Sequence, residues 1–135
     1  MPRRSRAREV VLQVLYQDDL NPDSDPKIAQ LFLENRLHGD TELVEFAQSL
    51  LSGVQRNRSE LDQMLADAAD NWALERMAVT DRNVMRLGVY EILYTETPER
   101  VAINEALELA KRFGAEQSAH FVNGILDRFI RKHEE

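Results

Sequence analysis

The chain of 135 residues contains no cysteine. Disulfides, thiolate zinc sites and iron–sulfur clusters are thereby excluded. A domain of this length buries roughly two-thirds of the surface its unfolded chain exposes, so it needs no covalent or metal staple. Glycine (5) and proline (4) are scarce and scattered. No G-x-G-x-x-G, P-loop or G-x-S-x-G elbow can be assembled from them, which removes the common nucleotide cradles and the hydrolase nucleophile turn. No apolar run approaches the ~18 residues of a membrane span. The opening MPRRSRAREVVLQVLYQDDL is interrupted by Gln13 and followed at once by Asp18 and Asp19, unlike a secretory leader. A cytoplasmic, non-membrane protein is expected. His38, His120 and His133 lie far apart without a partner one helical turn away, so they read as surface histidines and no metal or cofactor is expected. Paired acids such as Asp18 and Asp19, or Glu105 and Glu108, read as solvated helix faces rather than an acid–base pair. With no activated nucleophile available, the chain reads as a binding protein and not an enzyme.

What is present is helical periodicity and an uneven charge. The apolar stripe Ala7, Val10, Val11, Val14 and Leu15 predicts a first helix over about 5–19. Asn21-Pro22-Asp23 breaks it. Asp25 caps a second helix with Pro26 in its first turn, its stripe formed by Ile28, Leu31 and Phe32. Asp40 or Thr41 caps a third, with Leu43, Phe46, Ala47, Leu50, Leu51 and Val54 inward. Ser59 and Asp62 resemble a capping box for a fourth, carrying Leu61, Met64, Leu65, Ala68 and Trp72. Thr80 caps a fifth, apolar nearly all round and hence central. TPER is a turn. The sixth helix buries Ala102, Ile103, Ala106, Leu109, Ala110 and Phe113, with Gly114 as its terminal cap. The seventh runs over about 116–132, with Val122, Ile125, Leu126, Phe129 and Ile130 inward. The fold class is all-α, seven helices joined by short links.

The net charge is −7, yet residues 1–8 hold Arg3, Arg4, Arg6 and Arg8 and no acid. That leaves 13 of the 17 basic side chains facing all 24 acids, a net of −11. Such asymmetry fits either a solvated terminus or a mobile basic arm that contacts an anion. Arginine's planar fork matches phosphate oxygens, and an arginine-rich arm that orders on RNA is one way to use it. Leu12 and Tyr16 form a second apolar edge on the same helix, either packed or a protein-binding patch. KRFGAEQSAHFVNG places Lys111 and Arg112 at one helix end and Ser118, Phe121 and Asn123 at the start of the next. Phe121 is either a core ring or, if exposed, a stacking platform for a base.

AINEALELAKRFGAEQSAHFVNGILDR closely resembles the C-terminal signature of the bacterial NusB antitermination family. RRSRAREVVLQVLYQ resembles the start of that family, and DRNVMRLGVYEIL its central helix. The resemblance runs from about Arg3 to Arg131. It implies a seven-helix NusB-like fold with two helical subdomains, about 1–58 and 59–135. It implies transcription antitermination during ribosomal RNA synthesis. The implied partners are boxA-type RNA, the small-subunit ribosomal protein NusE, and the antitermination complex on RNA polymerase. A homodimer is also implied, because some members self-associate. Carried over by position, Arg3, Arg4, Arg6 and Arg8 would form the RNA-binding arm. Phe121 would stack on a base, with Lys111, Gln117, Ser118 and Asn123 nearby. Tyr16, Glu75 and Asp81 would meet NusE. Members often carry lysine where this chain has His120, and aspartate where it has Gln117. Losing the lysine weakens a phosphate contact, and losing the acid strengthens one. The segment from Asn21 to Gly39 carries no implied role. Related domains also occur at the N-terminus of ribosomal RNA cytosine methyltransferases, where the domain helps to bind RNA. That is the alternative reading.

Overall fold

Periodic apolar residues become seven α-helices in the computed structural model, which describes residues 3–70 and 72–134. They are α1 (Arg3–Leu20), α2 (Pro26–Arg36), α3 (Thr41–Arg56), α4 (Arg58–Ala68), α5 (Val79–Tyr94), α6 (Glu99–Phe113) and α7 (Ser118–Glu134). A short 3-10 turn, Leu74–Arg76, lies between α4 and α5. No strand occurs among the described residues.

α5 is the hub. It is buried without interruption from Val84 to Tyr90, because α1, α3, α4, α6 and α7 all pack against it. The expected division near residue 58 falls at the α3–α4 junction, where Asn57 caps both helices. The buried side chains run through it as one cluster, from Ala7 in α1 to Phe129 in α7. Close approach is built in at Gly53 on α3. A Cβ there would lie 2.1 Å from the Tyr90 ring of α5, so only glycine lets the two helices meet.

Several helix ends follow their caps. Asp25 accepts the Lys27 N–H at 2.9 Å with Pro26 in the first turn, and Asp40 accepts the Leu43 N–H at 3.2 Å. Both satisfy orphan donors of a first turn.

Other expectations are corrected. Ser59 and Asp62 form no capping box: α4 already begins at Arg58 with no side-chain cap, and Asp62 is taken by Arg86. Thr80 lies inside α5, whose cap position is Ala78. TPER is only partly a turn, since α6 begins at Glu99 directly after Pro98. Ile28 and Leu31 are exposed and Leu33 is the buried residue of α2. This short helix rests on α1 and α3 by one edge, so half of its apolar stripe faces outward. Trp72 is not on α4 at all. The helix stops at Ala68, Asp70 takes a left-handed φ of +57°, and Trp72 is left 57% exposed.

The paired acids are also corrected. Asp19 is buried among arginines: Arg58 at 2.6 Å, Arg86 at 2.9 Å and Arg82 at 3.5 Å. Asn83 adds a hydrogen bond at 3.0 Å, and Arg86 is also held in bidentate fashion by Asp62 at 2.7 and 3.0 Å. This network joins the end of α1 to α4 and α5. Burial opposes ionisation of Asp19, but the charges of Arg86 and Arg58 and the Asn83 donor outweigh it, holding the carboxyl below the usual range.

Candidate nucleic-acid interface

The N-terminal arginines lie on a helix. Arg3 opens α1, and from there each cation has its own surroundings. Arg3 pairs with Asp40, the cap of α3. That hydrogen bond raises the arginine's pKa and lowers the aspartate's. Arg4 is exposed, and its guanidinium sits 4.5 Å from the centre of the Phe46 ring. A cation so placed keeps its N–H donors free for an anion. Arg6 pairs with Glu9 at 3.2 Å.

Arg8 departs from the expected set. It is 4% exposed. Its Nε and Nη2 donate to the two oxygens of Glu91 at 2.6 and 2.8 Å, and Nη1 donates to Glu105 at 2.8 Å. Burial disfavours its charge, but Glu91 and Glu105 more than restore it and raise the pKa. With its donor fork consumed inside the protein, Arg8 ties α1 to α5 and α6 and presents nothing to a ligand. Charge alone could not distinguish it from Arg4, because its partner Glu91 lies 83 residues away.

The distant turn is brought to the same place by Glu9. Its buried carboxylate accepts from Arg6 through one oxygen and from Arg112 through the other. Nearby, Ser5 donates to Glu105. The start of α1 and the end of α6 are thus held side by side, with the exposed cations Arg3, Arg4, Lys111 and Arg112 on them. Lys111, at the end of α6, is exposed and lies 3.6 Å from Glu108. Sequence reading missed Glu9, whose only signal was its place three residues after Arg6 on a helix.

The α6–α7 turn is tight. The Ala115 N–H donates to the Ser118 hydroxyl at 2.8 Å. A Cβ at Gly114 would meet that hydroxyl at 2.5 Å and the Ala110 carbonyl at 2.7 Å. The glycine is needed for this proximity, not for a left-handed cap, since its φ is −94°. Ser118 is consequently buried and shapes the turn, whereas Gln117 and Asn123 are exposed. Phe121 falls between its two expected states. It is half-buried against the core and makes an edge-to-face contact with Trp72, with ring centres 5.6 Å apart at 75°.

The other expected face divides as well. Leu12 is buried, while Tyr16 is 39% exposed. Tyr16 lines an open groove of about 730 Å³ with Ile28, Phe32, Thr80 and Phe113. Beside Thr80, Asp81 is buried, and its Oδ1 has no hydrogen-bond partner among the described residues. Glu75 is exposed in the 3-10 turn. Phe113 connects the two faces, because it lines the groove while the Arg112 guanidinium lies 5.5 Å from its ring.

Residues 5–131 match the family described as NusB. The chain belongs to the NusB family. A transcription antitermination protein NusB of Anaeromyxobacter dehalogenans is 43% identical over 93% of this chain and 89% of its own length. Among solved structures, NusB of T. maritima superposes with a TM-score of 0.86 at 39% identity, covering 100% of this chain and 94% of that one. A structure of the antitermination factors NusB and NusE in complex with double-stranded RNA matches with a TM-score of 0.85 at 25% identity, covering 98% of both chains. The NusB fold is thus matched over essentially its whole length. No described helix of this NusB-family chain is long and apolar enough to cross a membrane.

Proposed function

We propose that this protein is a transcription antitermination factor that binds boxA-type RNA of nascent ribosomal RNA transcripts together with NusE. The observation that carries the reading is the Glu9 bridge. It joins the N-terminal arginines to the end of α6, gathering exposed arginines and Lys111 on one side of a protein of net charge −7. In this reading Arg3, Arg4, Arg6 and Lys111 meet phosphates, and Gln117, Phe121 and Asn123 meet the nucleotides that follow. Such contacts position the strand and make affinity fall with salt. Arg8 and Ser118 act from behind, by holding α1 and the turn in place.

NusE occupies the neighbouring groove. Tyr16 supplies an aromatic anchor there, the exposed Glu75 supplies a carboxylate acceptor for a partner's donor, and Asp81, buried at the start of α5, backs that face. Phe113 borders both surfaces, so RNA and protein partner lie side by side and the pair completes one RNA site. The assembly then joins the antitermination complex on RNA polymerase. A homodimer would compete for the same groove, and light scattering across concentrations measures it.

The test is RNA binding across a salt series, with and without NusE. Tighter binding with NusE is expected, together with a shallower salt slope for Arg4→Ala and Arg6→Ala. No binding in either condition, or unchanged binding by both variants, refutes the proposal.

A further inference from the structure

Trp72 has no role in the site described so far, and its placement is unusual for the largest apolar side chain. It is the single tryptophan of the chain. The left-handed turn at Asp70 lifts it off the end of α4, with its N–H bonded to the Ala69 carbonyl at 3.2 Å. The end of α4 just before it is fastened to α7, where Arg128 Nε donates to the Ala68 carbonyl at 2.8 Å. The ring meets Phe121 edge to face at 5.6 Å and remains 57% exposed.

A tryptophan whose only task was to cover Phe121 would bury its own faces in doing so. Here the two rings meet edge to face, and more than half of the residue stays in water. Cations stand on the neighbouring elements. Arg76, four residues on, is exposed and has no ion-pair partner among the described residues. Arg128 is 43% exposed, its charge offset by Asp70 at 3.6 Å. Phe121 continues the surface toward Gln117, whose carbonyl accepts the Phe121 N–H at 3.0 Å. An exposed indole in ring contact with Phe121 of a proposed RNA track, next to the α4 end that Arg128 holds, fits an unstacked base better than a protein side chain.

We infer that Trp72 is a base-stacking residue: with Phe121 behind it, it takes one unpaired base of single-stranded RNA beyond the α6–α7 turn. The inference rests on the RNA-binding reading above and extends its footprint from α7 to the α4–α5 link. Phe121 then has two tasks, receiving a base of its own and fixing the orientation of the indole.

The single tryptophan makes the test direct. BoxA-type RNA is titrated into the protein with NusE present. Binding is followed by anisotropy of labelled RNA and, separately, by tryptophan emission excited selectively, with NusE and RNA alone as blanks. Saturating RNA is expected to quench the Trp72 emission, while inorganic polyphosphate is expected to leave it unchanged. Trp72→Ala is expected to weaken binding at least about fivefold, and Trp72→Phe to restore most of the loss. An RNA with abasic nucleotides is expected to bind the parent no better than intact RNA binds Trp72→Ala. A circular-dichroism urea midpoint for each variant checks that the exposed substitution leaves the fold intact, and the emission titration needs no variant. RNA binding with unaltered emission, equal affinity of Trp72→Ala, or equal quenching by polyphosphate overturns the inference and leaves the antitermination reading standing. No RNA binding by the parent overturns both.

Discussion

Replacing Arg8 by methionine distinguishes an arginine that supports the RNA face from one that belongs to it. The Arg8 and Glu91 side chains are 5% and 2% exposed and are joined by two parallel hydrogen bonds. Removing the cation leaves Glu91 buried, with the Thr97 hydroxyl at 3.0 Å as its remaining side-chain donor. Breaking a pair of this kind costs about 3–5 kcal/mol, chiefly because one charge is left in a low-dielectric interior. A domain holds only about 5–15 kcal/mol in total, so the loss is a large fraction of the stability. With a urea dependence of about 2 kcal/mol per M, the midpoint should fall by roughly 2 M. Arg8→Met combined with Glu91→Leu removes both charges and should recover most of the loss, since apolar replacement of a buried pair is often neutral or better. The assay is urea unfolding of the parent, both single variants and the double variant. A loss under about 1 kcal/mol for Arg8→Met, or a double variant no better than the single, refutes the buried-pair argument. The RNA side gives a second check. At urea-free conditions where it is folded, Arg8→Met should keep the parent's salt slope. A slope reduced as much as for Arg4→Ala would place Arg8 on a phosphate after all.

Arg4→Ala should leave the urea midpoint nearly unchanged and lower the salt slope of RNA binding by about 0.7, measured by anisotropy over a salt series. Gly53→Ala should destabilise by about 1–3 kcal/mol or more, because the new Cβ lies 2.1 Å from the Tyr90 ring; thermal unfolding reads this, and an unchanged midpoint contradicts the close α3–α5 contact. Asp19 gives a pH dependence. Its folded-state pKa lies below the ordinary 3.8, so between those values the unfolded chain binds more protons. Stability from Asp19 is therefore complete above about pH 5 and is lost as the pH falls through the lower, folded-state value. Urea midpoints from pH 6 to 2 should decline, and Asp19→Asn should be less stable near neutral pH with a flatter decline; an equally steep decline would show that other carboxyls carry it.

The helices were legible because their apolar residues repeat with the helical period, and Asp25 and Asp40 were legible because a short acceptor stands just before each repeat begins. Where the reading failed, the cause was tertiary. The period in α4 runs on to Trp72, but the chain turns at Asp70 and carries the ring outward. Ser59 and Asp62 have the spacing of a cap, yet Arg86 claims the aspartate from another helix. Asp19, Glu105 and Arg8 look like surface charges until partners 39 to 97 residues away are brought beside them. The candidate RNA surface was half legible. The Arg3, Arg4 and Arg6 cluster and the α6–α7 signature stand out in the sequence, but the carboxylate that joins them, Glu9, is one acid among 24.

That junction has a consequence for the order of events in the life of the chain. Arg6 and Arg112 meet on Glu9 although 105 positions of sequence separate them, so the surface exists only once α6 has docked against α1. A chain still emerging from the ribosome with residue 105 at the tunnel mouth carries an arginine-rich first helix but no second wall beside it. Nucleic acid met at that stage finds loose charge rather than a shaped groove. On the proposed reading, competence to bind RNA arrives with completion of the fold, and a substitution that loosens α6 should lower RNA affinity without touching a single nucleotide.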